Sequence, residues 1–167
     1  LHPYDENTII GIGNEATDQG RVEGLKISLF DVSDFSNPKE IAKFVTSEKY
    51  ATSTALYEHK AFLFSKEKEL LVIPAYSYNY DYKTGGTTGY NGAFVFKINK
   101  NEITLRGLID HSAGQQAYYG AEVERSLYIN ELLYTKSASL LRINKIDDLS
   151  SVKNISLVSG TSVIPIY

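Results

Sequence analysis

Residues 76–92 of this 167-residue chain read YSYNYDYKTGGTTGYNG, and the first seven alternate tyrosine with Ser77, Asn79 and Asp81. Side chains of an extended segment alternate between faces, so Tyr76, Tyr78, Tyr80 and Tyr82 form one aromatic stripe if this stretch is a strand. Tyrosine offers a large flat surface at low rotamer cost and a hydroxyl for hydrogen bonding, while nearby Ser, Gly and Asn adapt their polar contacts. The chemistry on offer is recognition of a protein surface or a glycan. Tyr90, Tyr118 and Tyr119 extend the candidate ligand-binding set beyond the stripe. A second reading stays open, that the stripe packs on a neighbouring sheet and shields its edge, because cross-strand aromatic pairs stabilise sheets without any partner.

Other chemistry is sparse. The three histidines, His2, His59 and His111, recur along the chain and could in principle converge as metal ligands. Hydrogen bonds that lock adjacent sheets are the expected role. Asn79, Asp81 and the glycine-rich turn, or Asp31 and Asp34 of DVSD, offer hard oxygen atoms suited to a structural calcium. Neither follows an EF-hand loop, and Asp31 and Asp34 are expected to stabilise a turn through their own backbone; no metal or cofactor is assigned. A serine nucleophile is unsupported by any elbow motif, and GIG at 11–13 lacks the glycine spacing and helix of a dinucleotide site. Asp147 and Asp148 read as a solvated turn, and the sequon NIS at 154–156 lies inside an expected strand. No catalytic residue is assigned.

Composition narrows the classes further. A hydrophobic fraction of 43% and a formal charge of −3 describe a globular chain, without the basic stripe that nucleic acid requires. There is no cysteine, hence no disulfide and no thiolate metal site. No apolar run approaches the ~18 residues of a membrane-spanning helix, and no signal peptide or lipidation motif is present. The chain begins at Leu1 and has no methionine, the pattern expected of a segment of a longer protein.

The elements that must position these residues are strands. Apolar residues recur with period two or in short runs at 8–13, 24–32, 40–45, 60–65, 69–76, 92–99, 103–110, 125–129, 132–137, 139–144 and 152–158. Three segments repeat an apolar strand, a polar turn and a second strand: LKISLFDVSDFSNPKEIAKFV, AFVFKINKNEITLRGLI and SLLRINKIDDLSSVKNISLV. Asp31, Asn99 and Asn144 fall at the matching turn entry. With the tyrosine stretch set aside, the period approaches the ~40–50 residues of a four-stranded propeller blade. The fold expected is all-β, a partial β-propeller of about three four-stranded antiparallel blades, at approximately 1–46, 55–111 and 122–158, with a tail at 159–167. The innermost strand of the first blade must come from residues before Thr8 or from the tail TSVIPIY. Pro74 sits inside an expected strand, where a bulge or an early strand end should accommodate it.

On LHPYDENTIIGIG (1–13), GLKISLFDVSDFSNPKE (24–40), ALYEHKAFLF (55–64) and RSLYINELLY (125–134), the chain resembles the C-terminal β-propeller domain of a family of secreted archaeal and bacterial proteins, distantly related to WD40 repeats. The match covers most of residues 1–157, with gaps at 14–23 and 76–91. Phe35 stands where the family pattern has proline, which implies a looser turn. The resemblance implies an extracellular or cell-envelope location and transfers no active site.

In such blades the long loops 14–23, 46–59, 76–91 and 111–124 emerge on one face and carry nine of the thirteen tyrosines. The opposite face is made of short, charged turns, so the tyrosine face is the working one. The function expected is a non-catalytic module that binds a protein or glycan there. The alternatives are a propeller associated with or gating a hydrolase, and a purely structural module. Because a propeller closes with ~4–8 blades, three blades imply either further blades or a homodimer completing a six-bladed ring.

Overall fold

The computed structural model describes residues 1–83, 86–112 and 121–157, without the side chains of residues 80, 81 and 86–88. Three four-stranded antiparallel sheets follow one another along the chain, each with its strands in sequence order. Blade 1 comprises β1 (His2–Asp5), β2 (Thr8–Ala16), β3 (Val22–Asp31) and β4 (Lys39–Val45). Blade 2 comprises β5 (Leu63–Ser65), β6 (Leu70–Asp81), β7 (Gly86–Asn99) and β8 (Glu102–Asp110). Blade 3 comprises β9 (Val123–Ile129), β10 (Leu132–Ser137), β11 (Leu140–Lys145) and β12 (Ser151–Ser156). This is a partial β-propeller of three blades, as the repeat implies. The innermost strand of blade 1 comes from the residues before Thr8, since His2 and Pro3 pair with Ile10 and Ile9. The tail from residue 158 onward lies outside the described residues.

Blade 2 is the middle layer, and the period of two divides its side chains between two cores. Leu71, Ile73, Ala75, Phe94, Phe96 and Ile98 face blade 1 and pack with Ile10, Leu25, Ile27 and Leu29. Leu70, Val72, Ala93 and Val95 point the other way and pack with Val123, Leu133 and Ile146 of blade 3. On the far side of blade 3, Leu127 and Ile129 are exposed. The far side of blade 1 is polar instead, with Lys26 Nζ 2.8 Å from Glu15 and 2.9 Å from Glu40.

Three local expectations change. Residues 59–61 do not continue the inner strand of blade 2. They form a 3-10 turn in which the Glu58 carboxylate accepts the Lys60 N–H, so β5 shrinks to three residues. Pro74 causes neither a bulge nor a strand end, and it sits opposite Ala93 in unbroken register. The reason is directional. Backbone groups of Tyr76 exchange both hydrogen bonds with Thr52, so those of Pro74, two residues earlier, point to the same side. On that side β5 has already ended at the Leu63–Val72 pair, and the missing N–H of Pro74 leaves no partner unpaired. Finally, the Phe35 turn is not loose: Asp31 accepts the Ser33 N–H, Asp34 accepts the Ser36 N–H, and Asn37 N–H reaches the Asp34 carbonyl. Phe35 itself is exposed.

Candidate binding site

The tyrosine stretch is the outer half of a long hairpin. β6 and β7 stay paired residue by residue from Leu70–Lys97 out to Asp81–Gly86, so the ribbon projects beyond the blade; residues 84 and 85, at the expected glycine turn, lie outside the described residues. This is the protruding hairpin expected from the alternation. Its even positions continue the face that carries Leu70 and Val72, and there Tyr76 and Tyr78 are 38% and 44% exposed. Tyr82, at the turn, is 91% exposed. Tyr80 pairs with Thr87 along the backbone, and its side chain is outside the described set. Tyr118 and Tyr119 also lie outside the described residues.

Tyr90 belongs elsewhere. It stands opposite Ser77, on the odd face of the hairpin, and it leans on Phe94 with ring centroids 5.3 Å apart. It therefore does not join the Tyr76–Tyr78 stripe. The alternation rule that builds the stripe also excludes Tyr90 from it, because the cross-strand partner of an odd residue shares its face.

On that odd face the hairpin forms one wall of a cleft of about 430 Å³, lined by Ser47, Glu48, Lys49, Tyr50, Ser77, Asn79, Gly89 and Tyr90. The other wall is the start of the crossover from blade 1 to blade 2, and it is clamped at both ends. Before it, buried Thr46 accepts the Leu25 N–H through Oγ1 at 3.0 Å and donates to the Glu48 carbonyl at 3.3 Å. Gly24 permits this approach, since a Cβ there would lie 2.7 Å from the Thr46 carbonyl oxygen. After it, the Ala51 N–H closes a turn on the Glu48 carbonyl, Ala51 is buried, and Thr52 pairs with Tyr76. Tyr50 projects from this clamped turn, 69% exposed. Gly89 has its own requirement, because a Cβ at that position would sit 2.2 Å from the Ser77 carbonyl oxygen.

The cleft floor holds an unusual polar group. The Tyr90 hydroxyl is shielded from solvent and has no hydrogen-bond partner among the described residues. Burial, with the Glu48 charge second, raises its pKa, so it remains a neutral phenol. Leaving a shielded hydroxyl unpaired costs about 1–3 kcal/mol.

The histidines divide three ways. His111 is buried at the end of β8, and its Nε2 lies 2.8 Å from the Thr135 hydroxyl of blade 3, the blade-locking contact expected of it. His2 locks blade 1 to blade 2 by stacking flat on Phe62, with centroids 3.6 Å apart, rather than by a hydrogen bond. His59 is exposed beside Glu58. Among the described residues no three His, Asp or Glu side chains group as metal ligands. Asp31, Asp34 and Asp148 each accept a backbone N–H two residues on. Asn99 does the same for Asn101, whereas Asn144 donates across its turn to the Leu149 carbonyl. Among the described residues no helix is long and apolar enough to cross a membrane.

By sequence alone Ser77, Glu48 and Lys49 carry no assigned ligand role, and Asn79 only that of an oxygen donor to calcium. A signal was present for two of them: residues interleaved between stripe tyrosines must line the reverse face.

Comparison with known proteins agrees with the architecture. A family model described as a Beta propeller domain matches residues 1–149. An uncharacterized protein of Methanocaldococcus jannaschii is 34% identical over 155 residues, covering 93% of this chain and 20% of that protein. An uncharacterized protein of Archaeoglobus fulgidus is 39% identical over 87 residues, 51% of this chain and 13% of that one. The chain thus spans at most about a fifth of the length of these relatives. With three antiparallel blades in sequence order and a family match across nearly all of them, the chain belongs to the Beta propeller domain family.

Proposed function

We propose that this propeller segment is a non-catalytic recognition module of an extracellular or cell-envelope protein, binding a protein or glycan through the projecting β6–β7 hairpin. The observation that carries this reading is the exposure of Tyr76, Tyr78 and Tyr82, which stand outside both interblade cores. A stripe buried between blades would have meant a structural module. The rival, a propeller that catalyses in its channel, calls for a carboxylate desolvated near the channel. The buried polar side chains among the described residues are Thr, Ser, His and Asn.

The test replaces Tyr78, Tyr80 and Tyr82 with Ser. The melting temperature should hold within about 2 °C, as expected for exposed positions, while retention on immobilised cell-surface extract is lost. A large fall in melting temperature with retention unchanged in the folded fraction would refute the reading. Ring closure by a second copy is a separate matter. It would press the apolar far side of blade 3 onto the Lys26–Glu15–Glu40 network of blade 1, and desolvating those charges opposes it. Light scattering on a sizing column tests this, with a monomer the expected mass.

A further inference from the structure

We propose that the cleft between Tyr50 and the odd face of the hairpin is a saccharide subsite, taking a single neutral sugar ring. This deepens the recognition reading above and rests on it, but it uses the opposite side of the hairpin from the tyrosine stripe. The volume of about 430 Å³ suits a small ligand. Among the described residues its lining has no Leu, Ile, Val or Ala, so its only apolar surfaces are the two tyrosine rings, set among polar groups. Glu48 and Lys49 bring one charge of each sign, so neither an anion nor a cation is favoured as such.

What remains is an aromatic plane among many short-range donors and acceptors. Tyr50 stands exposed at the rim, where the C–H face of a pyranose can stack on its ring. The Asn79 amide, the Ser77 hydroxyl, the Glu48 carboxylate and the Lys49 ammonium together supply donors and acceptors for ring hydroxyls. The walls are held by backbone pairing on one side and by the Thr46 clamp on the other, so the site is built before ligand arrives. The hydroxyl of Tyr90, one of the lining residues, is a polar group that no described residue satisfies.

The experiment is saturation-transfer NMR on the whole chain with methyl glycosides of glucose, mannose, galactose and N-acetylglucosamine, alongside glucuronic acid and a Tyr-free neutral peptide as probes. At least one neutral glycoside should give transfer, and Tyr50→Ala should weaken it about tenfold without moving the melting temperature. Asn79→Ala should weaken it too, while Phe35→Ser, in the exposed turn between β3 and β4, should leave it unchanged. Absence of transfer from every neutral glycoside overturns the proposal. So does transfer that survives Tyr50→Ala and Asn79→Ala in folded protein, or binding of the peptide alone. Loss of cell-surface retention on replacing the stripe, with no glycoside transfer, sinks the saccharide subsite and leaves the recognition module standing. Glycoside transfer with stripe-independent retention does the reverse to the stripe.

Discussion

The middle blade is held to its two neighbours by different physics. Against blade 1 it presents aromatic and branched side chains: Phe96 meets Phe44 edge-on at 5.0 Å, Tyr4 meets Phe64 at 5.3 Å, and the crossover adds Ala51 and Ala55. Against blade 3 the apolar contact is made by smaller groups, and the joint is fastened by directional polar contacts. These include His111 to Thr135, the Tyr128 hydroxyl to Ser65 at 3.1 Å, Arg106 to the Ile146 carbonyl at 3.3 Å, and Arg142 to the Asp110 carbonyl. An oily joint is strong but indifferent to angle, and here its rim is closed by Asp5, whose carboxylate lies 3.2 Å from Lys66 Nζ and 2.7 Å from Lys100 Nζ. A joint of hydrogen bonds sets orientation, and it answers to protonation. The hairpin and its cleft grow from the oily side, where Tyr90 packs on Phe94.

The contrast can be broken at four points. The largest effect belongs to Phe96, which is fully buried between blades 1 and 2. Phe96→Ala should cost about 3–5 kcal/mol in urea denaturation, and a cost below 1 kcal/mol would show that the aromatic joint is not the stronger one.

Between pH 8 and 4 acid should act mainly on the other joint, because hydrogen bonding to Lys100 holds the Asp5 carboxyl well below the usual carboxylate range and so ionised throughout. Burial, and then the neighbouring Arg142, lower the His111 pKa to about 4 from 6.5. The unfolded chain therefore binds a proton across that interval when the folded chain does not. The stabilising contribution of neutral His111 is full above about pH 6.5 and declines as pH falls towards about 4, by at most about 3 kcal/mol. His2, also lowered by burial, adds a loss of the same sign at the blade 1 joint. Stability measured from pH 8 to 4 should slope less for His111→Gln than for the parent. Equal slopes would remove His111 as the acid-sensitive element.

Smaller again is Thr135→Val. Among the described residues His111 Nδ1 already lacks a partner, and this change strips Nε2 of its hydroxyl as well, leaving a buried ring with neither nitrogen paired to them. The expected loss is about 1–3 kcal/mol, read from the urea midpoint, with no change in the aromatic joint. Lys68→Ala, which removes the ion pair to Glu131 across the rim of blades 2 and 3, should lower the urea midpoint least of the four, and less still in high salt. A larger, salt-independent loss would mean that its contact with the Tyr128 ring carries the joint instead.

Much of the fold was legible because a strand writes its two faces into consecutive residues. Leu70 to Ile73 and Phe94 to Phe96 are apolar without a break, the mark of a sheet covered on both sides. The same rule exposed Tyr76 and Tyr78 and buried Ser77. Pro74 misled because a proline is judged by the strand next to it, and no pattern within β6 records where β5 stops. Residues 59–61 misled because Glu58 offers the Lys60 N–H a local partner that competes with strand pairing. The candidate site was half legible. Tyrosine alternation marked the hairpin, but Glu48 and Lys49 are polar loop residues with no periodicity to betray them.

By itself, then, the sequence determined the blade repeat, the antiparallel order within each blade and the side of the hairpin on which each residue falls. These follow from local periodicity and from turns a few residues long. Only the tertiary structure decided that Tyr90 and Tyr50 share a cleft, that His111 meets Thr135, and that the joints of blade 2 differ in kind. Those relations join residues 24 to 40 positions apart, His111 and Thr135 on separate blades and Tyr50 on the crossover facing the hairpin of Tyr90, and they depend on how sheets stack rather than on any pattern along one strand.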